Sequence, residues 1–405
     1  MRIGAARPLV ALLAGLALSC GGREPGLLVL ENVHVVDVER ASVDSFMLVV
    51  VRNGIIEMVG TTATVTIPAG AQTIDGNGLY LMPGLWDMHT HVEESDLEGL
   101  VSWGVLGIRD MGGNLSELRE WQRRIALDSM VGPRIVASGP VLAGPPAQPD
   151  DDRVVVRNAR QAAQAVDSLA EAGSAFIKVH DGITPAMLAA ITRAARARRL
   201  AVTGHVPAGM DPVAAARSGL VIIEHLEFVP DACAALFEPS PVDGEFRQPV
   251  PAGCDTEHLD SLLAGLARAD AWLDPTISMF RIWVPLPHYQ VIHAGFAELT
   301  PLIRRHRIRL LAGTDLGDDR IPAGEGLHDE LALLVDAGVT PAEALRAAVT
   351  NPVRLLGLAD SLGAIAPGMA ADMILLETNP LVDIRSTRRI RMVIHRGRVL
   401  HPGRN

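Results

Sequence analysis

The sequence predicts an α/β fold: a (β/α)8 TIM-like barrel with a small β-sandwich built from both chain ends. Three observations predict it. Short apolar strand candidates alternate with helical stretches through the middle of the chain. β-rich runs flank that region on both sides. Histidine and aspartate recur where strand candidates end, the edge at which a barrel gathers its functional groups.

From the N-terminus, Arg2 and Arg7 precede an apolar stretch from Leu9 to Leu18, too short to span a bilayer. Residues 1–19 read as an export signal. Leu16-Ala17-Leu18-Ser19-Cys20 resembles a bacterial lipoprotein signal, with Ala17 where leucine is commoner. On that reading Cys20 is acylated and holds the protein to a membrane of the cell envelope, with residues 20–26 as linker. The alternative is a cleaved signal that releases a soluble periplasmic or secreted protein. Both readings export the chain, so Cys233 and Cys254 can form a disulfide or remain thiols.

Residues 27–82 supply the N-terminal part of the sandwich, through runs such as Val33–Val38 and Met47–Val51 broken by Gly54, Gly60 and Pro68–Gly70. Residues 362–405 supply the rest, with Asp372–Leu376 and Met392–His395 as strands. The barrel occupies 83–361. Its strands are expected at Gly84–Met88, Val105–Arg109, Arg134–Ala137, Phe176–Val179, Ala201–Thr203, Val221–Ile223, Trp272–Leu273 and Arg309–Ala312. Helices are expected at Arg157–Ala172, Pro185–Arg199 and Thr256–Ala269, the last two capped by Thr184 and Asp255. A doubly wound open sheet is the alternative, but no Gly-rich dinucleotide fingerprint follows the first strand.

A formal charge of −11 without a dominant basic run argues against a nucleic-acid partner. The arginines at 196–199 and 304–309 read as solvated faces. Among 36 basic residues there is a single lysine, Lys178, inside the apolar run Ala175–Val179. A buried lysine amine can lose its proton and react, which arginine cannot do. Equally, the stem can pack while the amine reaches water. Composition leaves both readings open.

His89 and His91, His205, His225 and Asp315 all fall at strand ends. Period-two geometry puts His89 and His91 on one side of their strand, an arrangement suited to a transition metal. One such pair is weak. Its coincidence with partners at later strand ends is the stronger signal.

The sequence resembles the amidohydrolase superfamily, in the branch related to imidazolonepropionase and exported Xaa-Pro dipeptidases. The resemblance rests on Leu81–His91, Phe176–Val179, Thr203–Pro207, Ile223–Leu226 and Ala312–Asp315, then on His328–Leu331, Thr340–Leu345 and Leu362–Asp372. It implies two divalent ions, zinc first, with manganese, cobalt or iron as alternatives. His89, His91 and Asp315 would hold one ion, and His205 and His225 the other. Lys178, carboxylated by CO2, would bridge them. A hydroxide shared by the ions would attack an amide or imide C–N bond, with Asp315 carrying the proton.

The substrate is a small molecule, such as an Xaa-Pro dipeptide or an N-acyl amino acid. His180, Arg281, Tyr289 and Arg320 are the candidate contacts, and His328 is expected to be structural. Cyclic-amide, lactone or organophosphate hydrolysis are alternatives within the resemblance. A one-metal deaminase, for which Glu227 near His225 would be the acid, and a non-catalytic envelope lipoprotein are the competing classes. A homo-oligomer stays open.

Overall fold

The computed structural model describes residues 24–225, 255–283 and 286–400, with backbone alone for 283 and 286–292. Cys20, Cys233, Cys254 and Glu227, and the Tyr289 side chain, therefore lie outside the described residues. Among the described residues no helix is long and apolar enough to cross a membrane.

Five strands open the chain: β1 (Leu27–Asp37), β2 (Ser42–Arg52), β3 (Ile55–Gly60), β4 (Gln72–Asp75) and β5 (Tyr80–Pro83). The barrel run follows as β6 (Leu85–Thr90), α1 (Asp96–Ser102), β7 (Val105–Asp110), α2 (Leu115–Ala126), β8 (Arg134–Ala137), β9 (Val141–Ala143) and β10 (Arg153–Val155). It continues through α3 (Ala159–Ala172), β11 (Ile177–Val179), α4 (Pro185–Ala197), β12 (Val202–Gly204), α5 (Pro212–Arg217) and β13 (Leu220–Glu224). After residue 254 come α6 (Thr256–Arg268), β14 (Trp272–Asp274), α7 (Ile277–Trp283), α8 (Leu286–His306) and β15 (Arg309–Leu310). The last elements are α9 (Glu325–Asp336), α10 (Pro341–Ala348), α11 (Thr350–Leu355), β16 (Met373–Leu376), β17 (Ile390–His395) and β18 (Arg398–Leu400).

The eight expected barrel strands are present, all parallel to their neighbours, and the open-sheet alternative is set aside. The third is broken: β8 ends at Ala137 and β9 resumes at Val141, after Gly139 and Pro140. Ala175 N donates to Ala137 O at 2.8 Å, and Leu142 pairs with Val179, so both pieces meet the fourth strand, β11. The ring closes between β6 and the chain beyond β15. Met88 N donates to Ala312 O at 2.9 Å, Asp315 N to His89 O at 2.8 Å and His91 N to Leu316 O at 2.5 Å. Residues Ile177, Val202, Ile223 and Leu273 join helix residues Leu188, Leu263 and Leu331 in one continuous core.

The helices begin where the sequence says they can. Thr184 Oγ1 accepts from Met187 N at 3.3 Å ahead of Pro185, and Asp255 Oδ1 accepts from His258 N at 3.0 Å.

The two chain ends do pair. β16 runs antiparallel to β5, with Met373 opposite Pro83 and Leu376 opposite Tyr80, in an eight-stranded sheet ordered β18-β17-β16-β5-β1-β2-β3 with β4 on β1. Period-two alternation sends Leu28, Leu30, Val49 and Val51 to one apolar cluster and Leu27, Val29, Leu48 and Val50 to another.

Asp372 locks this unit to the barrel. Its carboxylate accepts from Arg134 Nε at 2.7 Å and from Arg396 N at 2.7 Å, and its carbonyl accepts from Gly84 N at 2.9 Å. Burial would raise the Asp372 carboxyl, but His395, Arg134 and the Arg396 amide outweigh it and hold it down to about 2. A depressed carboxyl stabilises the fold above its unfolded value, and loses that contribution as pH falls through the folded one. Asp372→Asn should therefore lower stability by about 2 kcal/mol at neutral pH, with the gap closing between about pH 4 and 2. Denaturant unfolding of both proteins across that range checks it.

Candidate metal centre

Each expected ligand sits where a strand gives way to a loop at the C-terminal end of the barrel. His89 is inside β6, and His91 is the residue after it. Lys178 is the middle residue of β11. His205 and His225 directly follow β12 and β13, and Asp315 follows the closing strand. His225, Asp315 and Thr276 adopt left-handed backbone conformations, with φ of 66°, 61° and 46°. Such conformations are uncommon for residues with a Cβ and concentrate at functional sites. Gly204, at φ 135°, lets β12 pass so close to β11 that an added Cβ would lie 2.0 Å from Val179 O.

These side chains converge on one cavity of about 300 Å³, also lined by His180, Met279, Gly317 and Asp318. Asp315 Oδ1 lies 3.3 Å from His89 Nε2 and 3.5 Å from His91 Nε2. Lys178 Nζ lies 3.5 Å from His89 Nε2. Ligand atoms bound at about 2.0–2.1 Å to one tetrahedral ion sit roughly 3.4 Å apart, so these spacings suit a shared cation. The His225 ring centroid is 4.7 Å from that of His89 and 4.9 Å from that of His205.

The other ring nitrogens are already engaged. His89 Nδ1 meets Glu224 Oε2 at 3.0 Å, and His91 Nδ1 meets Gly112 O at 3.2 Å. His205 Nδ1 meets Asp181 Oδ1 at 3.0 Å, and His225 Nδ1 meets Thr276 Oγ1 at 2.7 Å. Donating through Nδ1 leaves Nε2 as the free lone pair, the form in which imidazole binds a metal. The donor set and its outer partners fit divalent cations.

Charge in the cavity is arranged to the same end. Burial, then Lys178, pulls His89 down to about 4. Burial, His89 and Lys178 pull His225 well below its ordinary value. Both rings are therefore neutral near pH 7. Burial would raise Asp315, but His89, His91 and His225 outweigh it and hold it well below the usual carboxylate range. Asp315 is thus ionised.

Beneath these ligands lies a buried polar layer that sequence reading missed. Arg109 donates through Nε to Met88 O at 2.6 Å and through Nη2 to Glu224 Oε1 at 2.8 Å, with Asp274 Oδ2 at 3.4 Å. Thr203 Oγ1 also donates to Glu224. Burial alone would raise Glu224, yet Arg109, His89 and Lys178 together hold it well below its usual range. Asp274, pushed up first by burial and then by Glu224, stands on the other side. Asp87 accepts from Thr314 N at 3.0 Å and Thr314 Oγ1 at 2.7 Å, tying β6 to the turn that presents Asp315. The available signal was a charged residue inside an otherwise apolar strand, as with Asp87, Arg109 and Glu224.

The candidate substrate contacts divide. His180 lines the cavity, its ring 4.1 Å from that of His205. Arg281 and Arg320 do not line it. Arg281 pairs with Asp329 at 3.2 Å, and Arg320 forks onto Asp318, itself a cavity-lining residue, at 2.8 Å through both nitrogens. His328 bonds Thr387 Oγ1 and Trp103 O, each at 2.9 Å, as a structural residue.

The model of the amidohydrolase family matches residues 80–400. An adenine deaminase of Moorella thermoacetica is 23% identical over 92% of this chain and 58% of its own length. A dihydroorotase of Trichlorobacter lovleyi is 38% identical, over 18% of this chain and 16% of its own. The chain thus spans well under two thirds of these relatives. Among solved structures, a putative prolidase from Bifidobacterium longum superposes with a TM-score of 0.74 at 24% identity, covering 94% of this chain and 96% of that one.

Glu224→Gln should weaken metal binding by about 10- to 100-fold, because His89 loses its charged partner. It should also cost about 3 kcal/mol of stability, since buried Arg109 loses its nearest carboxylate and keeps only Asp274 at 3.4 Å. Competition against a chelator reads the first effect and urea unfolding the second.

Proposed function

The chain belongs to the amidohydrolase family, and from that premise we propose that it hydrolyses an amide or imide C–N bond in a small molecule. The proposed substrate is a dipeptide such as Xaa-Pro or an N-acyl amino acid. The observation that carries this reading is the convergence of His89, His91, His205, His225 and Asp315 around the single lysine, Lys178. We assign His89, His91 and Asp315 to one divalent cation and His205 and His225 to a second, with zinc the ion proposed. Lys178, as its CO2-derived carbamate, joins them. Its burial at 1% exposure favours the neutral amine that adds CO2.

When bound, the cations supply Lewis-acid polarisation of the scissile carbonyl and a water of lowered pKa. The protein supplies the proton path. Ionised Asp315 takes a proton from the attacking water as the new C–O bond forms. It gives that proton to the departing nitrogen as the C–N bond breaks. His180, held down to about 3 by burial and then by His205, is neutral, and serves the substrate as a hydrogen-bonding group. A cavity of about 300 Å³ suits a small substrate. We place the enzyme in the cell envelope, anchored through Cys20, on the resemblance of residues 1–20 to a lipoprotein signal.

The match to an adenine deaminase supports a second reading, one-metal deamination. It stands second because a one-metal site leaves no task for a buried lysine among the imidazoles.

Lys178→Ala should lower turnover by roughly a thousandfold and remove one of two metal equivalents, with partial recovery on adding acetate as a surrogate carboxylate. Lys178→Arg should be equally impaired and not recover. Metal analysis with a dipeptide and N-acyl amino acid panel checks this. Full activity in Lys178→Arg, or one metal per active chain, overturns it.

A further inference from the structure

The opposite end of the barrel carries a second cavity, of about 320 Å³, between the last turn of α8, the start of β15 and α10. Its floor is apolar: Ile303, Ile308, Leu310 and Val339 are all under 10% exposed. Four arginines line it, Arg304, Arg307, Arg309 and Arg346, against one carboxylate, Glu343. In a chain of net charge −11 this is a local inversion of sign.

The carboxylate does not neutralise all four. Glu343 accepts on Oε2 from Thr340 N at 2.9 Å, Thr340 Oγ1 at 2.8 Å and Arg304 Nη2 at 2.8 Å, and on Oε1 from Arg304 Nε at 2.9 Å, so of the four arginines it is paired with Arg304 alone. Arg309 is paired with Asp270 and lies 4.1 Å above the Trp272 ring. Arg346 donates through Nη1 to a backbone carbonyl, Glu39 O, at 3.2 Å, which carries no countercharge. Arg307, at φ 55°, turns the chain at the rim. Among the described residues, no carboxylate lies within ion-pairing distance of Arg307 or Arg346. Two guanidiniums thus face a greasy-floored cleft with their charge unbalanced.

We propose that this cleft binds a small organic acid: a carboxylate carrying an apolar body. The carboxylate would take the fork donors of Arg346 and Arg307, and the hydrocarbon would cover Ile308, Leu310 and Val339. Inorganic phosphate matches the charge but leaves the apolar floor wet; a neutral alcohol does the reverse. The site is separate from the metal cavity. The six residue steps from Arg309 to Asp315 set the two apart by up to about 20 Å along the closing segment.

The test is calorimetric titration of the intact, metal-loaded protein with hexanoate at fixed ionic strength, beside hexanol and inorganic phosphate. One hexanoate per chain is expected, at least tenfold tighter than either control. Arg307→Ala and Arg346→Ala should each weaken it about tenfold, with unchanged turnover and unfolding temperature. Arg346→Lys, which keeps the charge without the fork, should fall between. Absence of saturable binding overturns the proposal. So does phosphate binding as tightly as hexanoate. Hexanoate binding unchanged in the Arg307→Ala, Arg346→Ala double variant also overturns it, because the ligand would then sit on the metal cavity.

Discussion

The hydrogen bond between His89 Nδ1 and Glu224, 3.0 Å long and wholly buried, is the constraint on which the site depends. A histidine ring can present Nε2 outward in a fixed direction only if Nδ1 is held. Holding it with a carboxylate places a charge in the barrel interior, where an unpaired anion is untenable. Arg109 answers that charge and also donates to Met88 O and Asp274, while its Nη1 and Asp274 Oδ1 are buried with no hydrogen-bond partner among the described residues. Thr203, from a third strand, adds a hydroxyl. One ligand's orientation thus recruits polar residues from five strands, β6, β7, β12, β13 and β14, into a layer between the apolar core and the cavity. Removing one member leaves its neighbours with a buried charge or donor unanswered, so the residues of the layer are energetically coupled.

Much of the fold was legible because its signals are local. Period-two alternation and turn residues mark the sandwich strands, and Thr184-Pro185 marks a helix start through side-chain chemistry within one turn. The convergence of the candidate ligands on one cavity was legible for a different reason. All eight parallel strands end on one side, so a polar residue at a strand end carries its spatial address with it. The break of the third strand into β8 and β9 was not, since Gly139-Pro140 reads like any loop. Nor was the layer under the ligands. Glu224 beside His225 gives no hint that it faces the barrel axis and meets Arg109, 115 residues away. The fates of Arg281 and Arg320 were equally hidden, because Asp329 and Asp318 claim them through contacts that only the folded loops create.

The comparisons divide along the same line. The family match runs through barrel and sandwich alike, yet the sequence relatives include a deaminase and a dihydroorotase, and a structural neighbour is a putative prolidase. What the solved neighbour shares with this chain is the fold. A fold does not fix a substrate; the cavity wall here includes His180, Met279 and Asp318.

The closing seam has a consequence for how the protein comes into being. His89 and Asp315 meet across the first and last barrel strands, through the backbone bond from Asp315 N to His89 O and the side-chain bridge from Thr314 to Asp87. On a growing chain His89 and His91, at the end of β6, emerge early, and almost the whole barrel follows before Asp315. No truncated product ending before Thr314 can complete either the ring or the donor set. The donor set is therefore completed only once the chain beyond β15 has closed the ring against β6.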